Sequence, residues 1–141
     1  MTATANAYEK NSIAGMTPLD LVIKVYDGAI AAYREASARF QAGDNEAGRE
    51  QLERAKRFMV HLYTTLDEER GGEIAAQLGQ LYTFVLNETN VLEATKDPKS
   101  FEDIVGIIDN LRQGWIELRE QQSTAPSTNP APKQDSFCTS A

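Results

Sequence analysis

Two side chains of this 141-residue sequence have the widest chemical repertoire: the single histidine, His61, and the single cysteine, Cys138. A phosphotransfer histidine on a helix needs a basic residue nearby to steady the phosphoryl group, and Leu62 to Leu66 offers none. A di-iron bundle needs a Glu three residues before its histidine, and position 58 is Phe. His61 also projects away from the apolar stripe of its own stretch, so it reads as a surface histidine. Cys138 lies in a polar tail and forms no disulfide framework within one chain, so it reads as a passive thiol. There is no nucleophile–base pair, no metal-ligand spacing and no phosphate-cradling glycine loop. The sequence therefore points to no catalytic residue, no metal and no cofactor, and to a protein that is not an enzyme.

What calls for explanation instead is apolar surface. Between Thr17 and Ala42, the residues Val22, Val25, Ala29, Tyr33, Ala36 and Phe40 recur three and four apart and form one helical stripe, the expected core face. A second stripe, Leu19, Ile23, Tyr26 and Ile30, lies about a quarter-turn away. A bundle helix needs only about three apolar positions in seven, and surplus apolar surface is where partners bind. The third apolar stretch repeats the surplus. Ile74, Leu78, Leu81, Val85 and Leu92 form its core side, with Ala75, Tyr82 and Leu86 on one flank and Phe84 and Val91 on the other. In the fourth, Phe101, Ile104, Ile108, Leu111, Trp115 and Leu118 are flanked by Ile107 on one side and by Val105 and Ile116 on the other. The residues expected to meet a partner are Leu19, Ile23, Tyr26, Ile30, Tyr82, Leu86 and Val105.

These stripes belong to four helices. Thr17 offers a capping oxygen, Pro18 sits where a missing N–H costs nothing, and Asp20 places negative charge in the first turn. Gly43 ends that helix, and Gly28 inside it implies a close backbone contact. Asp44 caps the second helix, whose core positions are Leu52, Ala55, Met59, Leu62 and Leu66. Its other face carries Glu50–Arg54 and Glu53–Arg57 at ion-pair spacing and reads as solvated. Gly71-Gly72 breaks the chain before Glu73 opens the third helix. Asp97-Pro98 ends that helix, and Ser100 is the expected cap of the fourth. Short connections between four amphipathic helices give an all-α, antiparallel up-down four-helix bundle over residues 17–122. Residues 1–16 form an N-terminal arm in which Tyr8 and Ile13 are spaced apolar anchors able to lie on an exposed stripe. Residues 123–141, rich in Pro, Ser and Thr, read as a disordered tail.

A formal charge of −7 argues against a nucleic-acid partner, since a phosphate footprint needs clustered Lys and Arg. No apolar run approaches the roughly 18 residues of a membrane span, and the first ten residues lack the pattern of a secretory signal, so a cytoplasmic protein without membrane insertion is expected.

Several short stretches together resemble one family. They are Ala7-Tyr8, Tyr26-Asp27-Gly28-Ala29, Gly43-Asp44, Gly71-Gly72-Glu73-Ile74-Ala75, Leu81-Tyr82, and Leu111-Arg112 with Trp115. In this order they are similar to the flagellin-specific export chaperones of bacteria, the FliS family. The resemblance implies a monomer or weak homodimer that captures the C-terminal segment of flagellin in the cytosol. It further implies that the segment, disordered when free, becomes partly helical on the chaperone, which blocks premature polymerisation and helps deliver the subunit to a component of the flagellar export gate. The family's arm tyrosine, matched here by Tyr8, would lie over the binding surface when flagellin is absent. The alternative reading of the surplus stripes is a homodimeric helical adaptor without a flagellin client.

Overall fold

A computed structural model of the chain describes residues 16–124. They form four helices: α1 (Pro18–Gln41), α2 (Asn45–Thr64), α3 (Glu68–Thr95) and α4 (Pro98–Thr124). No strand occurs among the described residues, and none of these helices is long and apolar enough to cross a membrane. Tyr8, Ile13 and Cys138 lie outside the described residues. Helix α4 runs to Thr124, so the bundle extends two residues past its expected end.

The caps explain where each helix begins and ends. At the start of α1 the Asp20 amide donates to Thr17 Oγ1 and the Thr17 amide to Asp20 Oδ2, both at 3.1 Å, a reciprocal capping box with Pro18 in the first turn. At its end Gly43 takes φ +85°. The Gly43 amide donates to the Phe40 carbonyl at 3.0 Å and the Asp44 amide to the Arg39 carbonyl at 2.9 Å, the paired bonds of a Schellman turn. Asp44 then caps α2 through the Ala47 amide. The expected break at Gly71-Gly72 falls at Gly72, whose φ of 56° and ψ of −129° interrupt α3. One extra turn precedes it, because Asp67 accepts the Arg70 amide and caps a start earlier than Glu73. The fourth helix also starts early. Asp97, not Ser100, gathers the free groups there: its side chain accepts from the Lys99 amide and from Ser100 Oγ, and Pro98 opens the helix as its first residue. Lys96, in the left-handed region at φ 54°, turns the chain between α3 and α4.

Helix α1 is central: it packs most extensively against α2 and then against α4, while α3 leans on α2, and of the neighbouring pairs α3 and α4 make the sparsest contact. The α1–α2 contact is interlocked. A Cβ on Gly28 would stand 2.5 Å from Phe58 Cζ, and one on Gly48 would stand 2.6 Å from Phe40 Cδ1, so each glycine is a hole that the partner helix fills with a phenyl ring. The close contact expected at Gly28 is thus with a side chain, not with another backbone.

Across the core, hydroxyl groups link α1 to α3. Tyr26 and Tyr82 share a hydrogen bond through their phenol oxygens, and Tyr33 Oη bonds Thr89 Oγ1 at 2.6 Å. Both pairs are 56 residues apart, so α1 and α3 run parallel, as the diagonal helices of an up-down-up-down bundle must.

A candidate partner-binding surface

The surplus stripe of α1 is not a free surface. Ile23, Tyr26 and Ile30 are buried, as are Tyr82 and Val105, whereas Leu19 and Leu86 keep partial exposure. The division of α1 into a core face and a partner face is corrected accordingly, and Val22 and Val25, assigned to the core, are only half-buried. The cause is α4, which runs antiparallel along this flank. Arg119 Nη1 donates to Asp20 Oδ1 at 3.0 Å, and about two turns further along Arg112 pairs with Asp27. A helix touched by two neighbours and facing a third needs an apolar arc wider than one stripe, and Leu19–Ile30 is that extra width.

The buried polar groups at this junction are satisfied. Trp115 Nε1 donates to Tyr26 Oη at 2.8 Å, and Tyr26 Oη in turn bonds Tyr82, so α1, α3 and α4 meet in one three-residue chain. Thr89, fully buried, donates to the Val85 carbonyl at 2.6 Å while bonding Tyr33. Burial holds all three phenols in the neutral form. It pushes Tyr33 up to about 12 against the opposing pull of Thr89, and raises Tyr26 and Tyr82 above the usual phenol range, Tyr82 the more strongly because Tyr26 adds to the effect. Asp20 is shifted the other way, below the usual carboxylate range, first by the Thr17 amide and then by Arg119.

Exposed apolar side chains lie elsewhere. Ile74 is 69 % exposed, Val91 49 %, Phe84 47 % and Leu118 39 %. On α3, Gly79 packs beside Tyr63 of α2 and Leu66 just after it, and Glu93 pairs with Lys56 of α2, which fixes the flank that faces α2. Ile74, Leu81, Phe84 and Val91 lie on the opposite flank, toward α4. On α4, Arg112 and Arg119 face α1, and Ile107, Leu111 and Leu118 lie on the side toward α3. The two sets border the seam where α3 and α4 barely touch. Gly114, between Leu111 and Leu118, has open space beside it. At one end the seam leads to an apolar cleft of about 360 Å³ whose lining includes Val22, Leu66, Ile74, Leu78 and Trp115. Sequence reasoning placed Ile74 and Leu118 in the core and noted Phe84 and Val91 only as a flank. Their seven-residue spacing on the side away from Leu86 was the available signal.

No group of three or more potential metal-ligating side chains occurs among the described residues, and His61 is exposed. A helical bundle with an unclosed apolar seam is a binding module. The chain belongs to the family described as flagellar protein FliS, whose model matches residues 1–122. It is 29 % identical to the flagellar secretion chaperone FliS of Vibrio cholerae over 122 residues, 84 % of this chain and 90 % of that one. It is 27 % identical to the chaperone of the same name from Salmonella typhimurium (86 % and 90 % covered), and 26 % identical to that of Bacillus subtilis (77 % and 80 %). Residues 123–141 fall outside the family match.

Proposed function

We propose that this chain is a flagellar export chaperone that holds the C-terminal segment of flagellin along the α3–α4 seam, in the cytoplasm and before export. Membership of a flagellar secretion chaperone family supports the export role. One observation carries the choice of surface: of the neighbouring helix pairs, α3 and α4 make the sparsest contact, and they border their seam with exposed Ile74, Phe84, Val91 and Leu118. An amphipathic segment laid into the seam buries its own apolar face, the one that would otherwise drive premature polymerisation, and covers the chaperone's. Delivery to an export-gate component follows from the family role. Of the residues first expected to touch a partner, Leu19 retains surface for contact, Leu86 is half-buried on the flank away from the seam, and Ile23, Tyr26, Ile30, Tyr82 and Val105 support the bundle from within. Tyr8 and Ile13 would shield the seam or its end cleft in the absence of client.

The test is isothermal titration against a flagellin C-terminal peptide of roughly forty residues, long enough to bury on the order of 1,000 Å² or more. Heat of binding with a gain of helicity by circular dichroism is expected, both lost in Phe84→Glu/Leu118→Glu. Binding that survives this double substitution contradicts the seam, and no binding by the unmodified chain contradicts the client. Sedimentation of the free chain checks the alternative occupant. A concentration-independent dimer that refuses the peptide would assign the seam to a second copy.

A further inference from the structure

A second surface, on the opposite side of the bundle, carries positive charge. Where α1 meets α2 on the outside, Val25, Phe58, Arg54, Arg57 and His61 line an open cleft of about 400 Å³, and Leu21, one turn before Val25, is 45 % exposed. The sequence pattern offered Glu50 to Arg54 and Glu53 to Arg57 as ion pairs. Neither forms. Glu53 pairs with Lys56 instead, and the Arg54 guanidinium stands 5.6 Å from the centre of the Phe58 ring. Among the described residues, Arg54, Arg57 and His61 enter no ion pair, although the chain has 21 carboxylate side chains and only 14 lysines and arginines. Arg54 and Arg57 stand three apart on one helix, a like-charge spacing that is unfavourable in isolation. The cleft keeps that repulsion while carboxylates are in excess elsewhere.

We infer that the α1–α2 cleft is a docking surface for an acidic protein segment carrying an apolar side chain between its carboxylates. The two arginines supply bidentate donors for carboxylates, and the Val25–Phe58 floor supplies the place for a leucine or phenylalanine. Nucleic acid fits less well, because its phosphates would leave that floor uncovered. The seam proposed for flagellin lies across the bundle, between α3 and α4. The two surfaces are therefore separate, and both can be occupied at once.

Fluorescence anisotropy of the full chain with a labelled peptide, Glu-Asp-Leu-Phe-Glu-Glu-Leu-Phe-Asp-Glu, tests this. Binding should weaken by about tenfold or more in Arg54→Glu/Arg57→Glu, and should be absent for the same peptide with every acid replaced by lysine. Both arginines are exposed, so the variant's thermal melt should match the parent's; Arg54→Gln/Arg57→Gln gives the same comparison with no charge reversal. No binding by the parent chain, equal binding by the arginine variants, or displacement of the peptide by polyuridylate at equal charge concentration would each overturn the inference. Flagellin titration of the same arginine variants should be unchanged, which separates this surface from the seam.

Discussion

The α1–α2 contact and the α3–α4 seam are both built from amphipathic helices with apolar side chains to bury, yet one is closed and the other is not. In the first, each helix offers a glycine and each supplies a phenyl ring to fill the other's: Phe58 on Gly28, Phe40 on Gly48. In the second, Gly114 faces empty space, and Phe84 and Val91 are about half exposed. Apolar content alone therefore does not close a helix pair. Complementary shape does, and where it is missing the same residues remain available to a partner.

The largest effect should come from the junction behind both regions. Tyr26→Glu places a carboxylate where the native phenol is fully buried and bonded to Tyr82 and Trp115, and should cost roughly 4 kcal/mol or more, abolishing the cooperative thermal transition. A variant that melts like the parent would show that the junction is not core. Alkali should act on the same groups. Because burial raises the phenols of Tyr26, Tyr33 and Tyr82, the folded state holds protons that the unfolded chain releases near pH 10. Their contribution is fully present below that pH and is lost as pH rises toward the folded value, about 12 for Tyr33. The phenolate absorbance of these three residues should appear only together with loss of helicity.

Smaller changes sharpen the contrast between the two helix pairs. Gly28→Leu must displace the Phe58 ring and should destabilise by about 2 kcal/mol in urea unfolding. Gly114→Ala meets nothing within 4 Å and should stabilise by up to about 1 kcal/mol through helix propensity alone. Equal signs for the two would erase the distinction between a filled and an open glycine. Smallest of all, Phe84→Ser should leave stability within about 0.5 kcal/mol of the parent while lowering the binding of an apolar dye.

Much of this was readable from the residues. The caps at Thr17, Gly43 and Asp44, the break at Gly72 and the core positions Leu52, Ala55, Met59 and Leu62 of α2 follow from local chemistry acting within a few residues. Asp97 outbid Ser100 because both are good caps and only the chain's path between α3 and α4 decides which is used. The partner surface was less legible. Periodicity tells how wide the apolar arc of a helix is, but not how many neighbours share it. Leu19, Ile23, Tyr26 and Ile30 looked superfluous until α4 was seen clamped along them by Asp20–Arg119 and Asp27–Arg112, ion pairs that link residues 99 and 85 apart. Conversely Ile74 carries a core-like spacing, yet lies beside a break and a cleft that leave it largely in solvent.

Methyl-resolved NMR of the full chain during titration with the flagellin C-terminal peptide tests the central claim most directly. Shifts concentrated on the methyl groups of Ile74, Val91, Ile107, Leu111 and Leu118, with Leu52 and Met59 of the closed α1–α2 side unmoved, are the predicted result. Shifts confined to Leu21 and Val25, with the α3–α4 methyls silent, would contradict it.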